Sequence, residues 1–254
     1  MSDLFNLSEK TSIVTGANSG IGRGIAQALA EAGAQVAVWG RNDKRNAETV
    51  ASLQTSGAEA VAVGVDVTDE SAVIEAFAAT IDTFGKVDSV FANAGLGAGS
   101  ARFHEMSTES WRRMFGVNME GVFWTFREAL KHMQPRGEGS LVVTSSITAD
   151  LGFTRGEDYA ATKAGVRALI RGIAAEYGRY GIRANAIAPG WVVTGMTSEF
   201  IEGDAFKGKM LPRIPMGRFG QPDDFAGIAV YLASDASSWH TGDTITIDGG
   251  YLLT

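Results

Sequence analysis

The sequence predicts an α/β fold: a single doubly wound parallel sheet with helices on both faces. Three observations carry that reading. Short, wholly apolar β-rich runs alternate with helix-patterned stretches along the chain, as expected of parallel strands buried on both faces and joined by crossover helices. The first strand runs straight into a glycine-rich turn and a helix, TGANSGIG at 15–22. No linker, repeat or low-complexity segment interrupts the alternation, so the 254 residues read as one domain.

Taken in order, TSIVTG (11–16) is a strand and GIGRGIAQALAEAG (20–33) a helix closing on glycine. AQVAVWG (34–40) is the second strand, DKRNAETVASLQTSG (43–57) a helix and AVAVGVDV (60–67) the third strand. The segment from Asp69 to Gly85 is helical, with Asp69 suited to the N-cap. VDSVFANAG (87–95) forms the fourth strand, and a long helix spans about Ser107 to Met133. SLVVTSS (140–146) is the fifth strand, a helix then runs to about Tyr180, and IRANAIAPG (182–190) is the sixth. A loop-rich insertion near 191–218 precedes a helix at Gln221–Ala233 and a last strand, TITIDGG (244–250). The expected strand order is near 3-2-1-4-5-6 with one strand added.

Composition excludes several functions. With 45% hydrophobic and 20% charged residues, the chain has the make-up of a soluble globular protein. A net charge of −7 without a basic tract argues against nucleic acid and anionic membrane as partners. The absence of cysteine rules out disulfides, thiol catalysis and thiolate metal sites. His104, His132 and His240 lie far apart in no ligand spacing, so each reads as a surface or structural residue and no metal is expected. The opening MSDLFNLSEK has no apolar signal core, and no run of 18 apolar residues occurs; the expected compartment is the reducing cytoplasm.

Gly16, Gly20 and Gly22 occupy a βα turn of the kind that lets backbone approach a pyrophosphate at a helix N-terminus. A glycine-rich turn with no ligand is the alternative. Neither a P-loop Gly-Lys-Ser/Thr nor a G-x-S-x-G elbow occurs, so nucleotide hydrolysis and serine-hydrolase chemistry drop away. At the end of the second strand, where a dinucleotide fold selecting NAD places Asp or Glu, this chain has Gly40, and Arg41 follows. A guanidinium there can pair with a 2′-phosphate, and Asn18 could add a neutral hydrogen bond, so NADP(H) is expected over NAD(H); otherwise Arg41 only caps a surface turn. Asp66 could accept a bond from an adenine amine or cap the next helix, and Asn93 suits a structural turn better than a ligand contact. Tyr159 and Lys163, four apart in an alanine-rich helix, share a face, which fits either a surface pair or a phenol tuned by an ammonium.

TGANSGIG, the Asn93-Ala94-Gly95 turn, Asn118, Ser146, YAATK (159–163), PGWVVT (189–194) and IDGG (247–250) together resemble the short-chain dehydrogenase/reductase family along essentially the whole chain. The resemblance implies a Rossmann-type subunit, a nicotinamide cofactor, a homotetramer and a catalytic tetrad of Asn118, Ser146, Tyr159 and Lys163. Ser146 is selected over Ser145 because the family's serine stands thirteen residues before the tyrosine. Hydride arriving at a carbonyl leaves negative charge on oxygen, which Tyr159 protonates, with Lys163 lowering the phenol pKa and Ser146 bonding the oxygen. The resemblance gives Lys163 a second task on the nicotinamide ribose and gives Asn118 a water link to Lys163. Expected cofactor contacts are Gly16, Asn18, Ser19, Gly20, Ile21, Gly22, Arg41, Asp66, Val67, Asn93, Ala94, Gly95, Tyr159, Lys163, Pro189, Gly190, Val192 and Thr194. The stretch 197–215 resembles a substrate lid, set within the 191–218 insertion.

The substrate is less legible. Asp150, Thr154 and Arg155 suit a polar ligand, whereas Leu151, Phe153 and Trp191 suit an apolar one. Family members that reduce 3-oxoacyl groups on an acidic carrier protein present basic residues near the site entrance; two of those positions align with Gly137 and Tyr180, beside Arg136 and Arg179. A free secondary alcohol or ketone is the preferred substrate, carrier-protein reduction is second, and a non-catalytic nucleotide sensor is third. The stripe Val166, Leu169, Ile170 and Ile173 fits either a subunit interface or the core.

Overall fold

The computed structural model describes residues 4–99, 101–201 and 203–254; the first three residues of the opening stretch and Glu202 of the predicted lid lie outside them. Seven parallel strands form one sheet: β1 (Thr11–Thr15), β2 (Gln35–Gly40), β3 (Ala60–Gly64), β4 (Ser89–Ala92), β5 (Gly139–Thr144), β6 (Ile182–Pro189) and β7 (Thr244–Ile247). Their order is β3-β2-β1-β4-β5-β6-β7, the expected order with β7 as the added strand.

The period-2 alternation of strand side chains divides the apolar residues between two cores. Ile13, Trp39, Val90 and Leu141 pack on one face with Phe77, Phe126, Val166 and Ile170, contributed by α3 (Glu70–Phe84), α5 (Gly121–Arg136) and α6 (Glu157–Tyr177). Val14, Val38, Phe91 and Val142 pack on the other with Ile25, Leu29, Leu53 and Leu232, from α1 (Gly20–Glu31), α2 (Asp43–Thr55) and α9 (Ala226–Ala233). Val166, Ile170 and Ile173 are buried in the first core with Leu169 packed against it. The stripe is therefore core-facing.

Three departures from the sequence reading follow from backbone bonding. β3, β4 and β5 end two to three residues before the predicted limits, because there the chain leaves the ladder to border a cleft, and β7 ends three residues early. The predicted helix from 107 to 133 is interrupted: α4 (Thr108–Phe115) passes through a π-helical turn at Gly116–Glu120 before α5. The predicted insertion contains two short helices, α7 (Ser198–Ile201) and α8 (Asp204–Met210). These join a third apolar cluster of Ile147, Ile201, Met210, Ile214, Phe219 and Tyr251. Asp69 caps α3 as expected, accepting from the Ala72 amide. Among the described residues, no helix is long and apolar enough to cross a membrane and no group of side chains could hold a metal ion.

Candidate active site

The carboxyl ends of the strands border a cleft with two lobes. One, of about 530 Å³, is lined by Asn18, Arg41, Asp66 and Val67. The other, of about 400 Å³, is lined by Gly20, Ile21, Asn93, Ser146, Tyr159, Lys163, Pro189, Gly190, Val192 and Thr194. Gly16, Ser19, Ala94 and Gly95 border both. Gly16 (φ +66°) and Gly20 (φ +51°) adopt left-handed backbone, which fits glycine and turns the chain tightly. Gly22 does not line the cleft; a Cβ there would overlap the Gly16 carbonyl and the Asn93 amide, so its part is close packing. Ser19 makes no side-chain cap to α1, so the first amides of that helix stand at the cleft without a side-chain acceptor. This cradle fits a phosphate group.

The turn after β4 is held from inside. Thr15 Oγ1 accepts from the amides of Asn93 (3.0 Å) and Ala94 (2.9 Å), and Asn93 Oδ1 accepts from Thr144 Oγ1 at 3.0 Å. Asn93 thus ties β1, β4 and β5 together, the structural role its type suggested.

The four predicted catalytic residues come from three elements. Ser146, 7% exposed, follows β5; its hydroxyl oxygen accepts from the Thr148 amide at 3.1 Å. Tyr159 and Lys163 stand one turn apart on α6, with Nζ 5.6 Å from the phenol ring centroid. Lys163 is buried and donates to the Thr144 carbonyl at 2.7 Å. Asn118 sits in the π-helical turn, a feature that recurs at functional sites. Its side chain bonds both backbone groups of Leu96, Oδ1 accepting at 2.8 Å and Nδ2 donating at 3.1 Å. It does not line the cleft directly. A Cβ on Gly95 would lie 3.2 Å from Asn118 Oδ1 and 3.5 Å from Lys163 Nζ, so the two flank a space that glycine leaves open.

Burial governs the titration of the pair. It pushes the Tyr159 phenol above its ordinary value, opposed by the hydrogen bond with Ser146. It lowers Lys163 to about 8. The expected depression of the phenol by Lys163 is not among the effects that set it: each charged form is desolvated, and the ammonium donates to the Thr144 carbonyl.

At the other lobe, Arg41 Nη1 lies 3.7 Å from Asp66 Oδ2 in an exposed pair. Asp66 Oδ1 accepts from the Thr68 amide (3.0 Å) and hydroxyl (2.8 Å); despite its burial cost, these bonds and Arg41 hold the Asp66 carboxyl below its usual value. Asp66 is therefore not the cap of α3. Asn18 donates to Asn46 Oδ1 at 2.7 Å, and Asn46 donates to the Gly40 carbonyl at 2.7 Å.

A family model described as enoyl-(acyl carrier protein) reductase matches residues 16–252. The chain belongs to the short-chain dehydrogenase/reductase family. As a short-chain dehydrogenase/reductase it is a nicotinamide-dependent oxidoreductase acting between CH–OH and C=O. It is 36% identical to a gluconate 5-dehydrogenase of Gluconobacter oxydans over 98% of this chain and 96% of that protein. It is also 36% identical to a 3-oxoacyl-[acyl-carrier-protein] reductase of Chlamydia pneumoniae over 95% of this chain and 96% of that one. The crystal structure of a gluconate 5-dehydrogenase from Burkholderia cenocepacia, in complex with NADP and tartrate, superposes with a TM-score of 0.95 at 33% identity, covering 100% of this chain and 99% of that one.

Set beside this family's pattern, three expectations change. Asn18 lines the lobe but spends one of its two amide N–H donors on Asn46, which leaves a single donor for a 2′-phosphate. Asp150 is held bidentate by Arg167 at 2.7 and 2.6 Å, so it is not free for substrate. Leu151 and Trp191 pack in the third apolar cluster. The sequence reading also missed Arg45, which lines both lobes. Its spacing of four from Arg41, across the start of α2, was the available signal. His132 accepts from the Val87 amide at 3.1 Å, and burial followed by the nearby Arg136 lowers its pKa; it is a structural residue.

Proposed function

We propose that this protein is an NADP(H)-preferring oxidoreductase that interconverts a small hydroxylated secondary alcohol and its ketone. The observation carrying the reading is the meeting of Ser146, Tyr159 and Lys163 in one lobe of a cleft whose other lobe presents Arg41 and no carboxylate at Gly40. The cradle at Gly16–Gly22 would hold the pyrophosphate, and Arg41 with Arg45 would hold the 2′-phosphate. The bound nicotinamide supplies or accepts the hydride. Tyr159 Oη gives its proton to the carbonyl oxygen, and Ser146, whose oxygen lone pair is engaged by Thr148, donates its O–H to the same atom. Lys163, anchored on Thr144, keeps further N–H donors for the ribose, and a water between Asn118 and Lys163 links the pair to solvent. With the oxidised cofactor bound, its positive charge would favour the phenolate of Tyr159 against the burial that raises its pKa.

The insertion 191–218 acts as the substrate lid, α7 and α8 lying over Ile147 beside Ser146. A gluconate-like substrate is supported by the relatives that act on gluconate. The second reading, carrier-protein reduction, draws on the equally identical carrier-protein reductase. Against it, Arg136 is spent on Asp88 and Glu138 at 2.6 and 2.7 Å, and a −7 chain repels an acidic carrier. We place the enzyme in the cytoplasm as a homotetramer of single-domain subunits. The test is a panel of D-gluconate, an aldose, cyclohexanol and a 3-oxoacyl carrier-protein thioester, assayed with both cofactors. Turnover of a hydroxylated alcohol with NADP⁺ favoured is expected. Equal or better kcat/KM with NAD⁺, or turnover of the thioester alone, overturns the reading.

A further inference from the structure

The stripe on α6 does not end at Lys163. Arg167 stands four residues further along, 7% exposed, and every bond of its guanidinium goes to the segment that carries Ser146. Nε donates to Ser145 Oγ at 2.9 Å, Nη2 to the Ser146 carbonyl at 2.5 Å, and Nη1 to both Asp150 oxygens. Ser145 Oγ in turn donates to the Lys163 carbonyl at 2.8 Å. Helix α6 therefore grips the end of β5 residue by residue: Lys163 on Thr144, then Arg167 on Ser145, Ser146 and Asp150.

We propose that Arg167 is a positioning residue that fixes Ser146 for catalysis and, through Asp150, sets the loop leading back to Tyr159. The inference rests on the assignment of Ser146 proposed above. Ser146 is extended (φ −165°, ψ 154°) with its hydroxyl oxygen engaged by Thr148. Its carbonyl accepts from the Ala149 amide at 3.2 Å within its own turn and from Arg167, the bond that ties it to α6. The planar fork reaches four acceptor atoms on three residues at a fixed spread, which the compact ammonium of lysine does not reproduce. A displacement of about 1 Å in such a group costs on the order of 100-fold in rate.

The test is a double-mutant cycle, with cofactor affinity and thermal midpoint measured on every variant. The substrate is D-gluconate or, if that is not turned over, the panel member that is. Arg167→Lys is expected to lower kcat by about 10–100-fold with cofactor affinity unchanged. In a Ser146→Ala background the same substitution is expected to cost less than about threefold, because the group it positions is gone. Equal losses in both backgrounds, or normal kcat in Arg167→Lys, overturn the proposal. Should Arg167→Lys not fold, Asp150→Asn, at the half-exposed end of the fork, enters the same cycle; a smaller loss that vanishes without Ser146 supports the role, and an additive one refutes it. Normal activity in Ser146→Ala alone refutes the assignment of Ser146 itself and this inference with it, whereas its loss alongside an additive Arg167→Lys refutes only the positioning role.

Discussion

Tyr159 and Lys163 together illustrate how one residue's environment sets its chemistry. Tyr159→Phe removes the proton donor and leaves the ring's packing intact. The rate is expected to fall about 10²–10⁴-fold, with cofactor binding by fluorescence titration unchanged. Turnover near that of the unmodified enzyme counts against the assignment. Lys163 carries a pH signature. Its ammonium, lowered to about 8 by burial, is present below that pH and lost above it. Ketone reduction that needs the ammonium is therefore expected to hold on the acid side and decline as pH rises through about 8. A profile flat to pH 10 contradicts it. The stability term has the opposite sign: between about 8 and its unfolded value the unfolded chain binds the proton and the folded one does not, so folding gains as pH rises across that window. At the other lobe, Arg41→Ala is expected to erode NADP(H) selectivity about tenfold, the lower end for charge-assisted bonds because Arg41 is largely exposed. Unchanged selectivity in steady-state kinetics with both cofactors assigns the phosphate to Arg45 alone.

At the scale of the element, the π-helical turn at Gly116–Glu120 is the feature that a helical pattern conceals. The stretch from 107 reads as one helix because its side chains keep helical spacing, yet the extra residue in the turn brings Asn118 onto the backbone of Leu96. Asn118→Ala removes the side-chain partner of these part-buried backbone groups, at about 1 kcal/mol, the lower end for an unpaired group because Leu96 borders the cleft. For a chain of this size, that lowers the thermal midpoint by roughly 2–4 °C per kcal/mol, alongside a loss of activity. An unchanged midpoint in calorimetry shows that Leu96 finds another partner. The same scale explains Gly40. A Cβ there would meet Asn18 Nδ2 and Asn46 Oδ1 at 2.5 and 2.6 Å. An aspartate introduced to reverse cofactor choice therefore has to displace the Asn18–Asn46 bridge before it can bind a ribose. The missing carboxylate at this position is enforced by packing as well as by ligand choice.

Across the whole molecule, the parallel order β3-β2-β1-β4-β5-β6-β7 places the carboxyl ends of all the central strands on one side. The glycine turn, the Asn93 turn, Ser146 and the Pro189 turn thereby meet, although they are spread over more than half of the chain. The same winding buries Val166 and Ile170 against the sheet, which leaves α6 without an exposed apolar stripe from those residues. A tetramer of the expected kind would use other surface, such as the exposed Phe123 of α5. A homotetramer is nevertheless expected from the family, and light scattering at micromolar concentration checks it; a monomer mass overturns it.

The sequence by itself determined the alternation of strands and helices, the glycine cradle, the identity of the four catalytic candidates and the absence of an acidic residue after β2. These are legible because hydrophobic period, glycine and short polar motifs act locally, through backbone conformation and residue type. Tertiary structure alone decided which polar groups are free. Asn18 gives one amide N–H to Asn46, Asp150 is held by Arg167 and Asp66 Oδ1 is held by Thr68, while Arg45 lines the cleft. The Asn18–Asn46 and Asp150–Arg167 bonds depend on partners brought close by the folding of strands against helices, whereas Asp66 and Thr68 meet within one turn, and hydrogen bonds act only at contact distance.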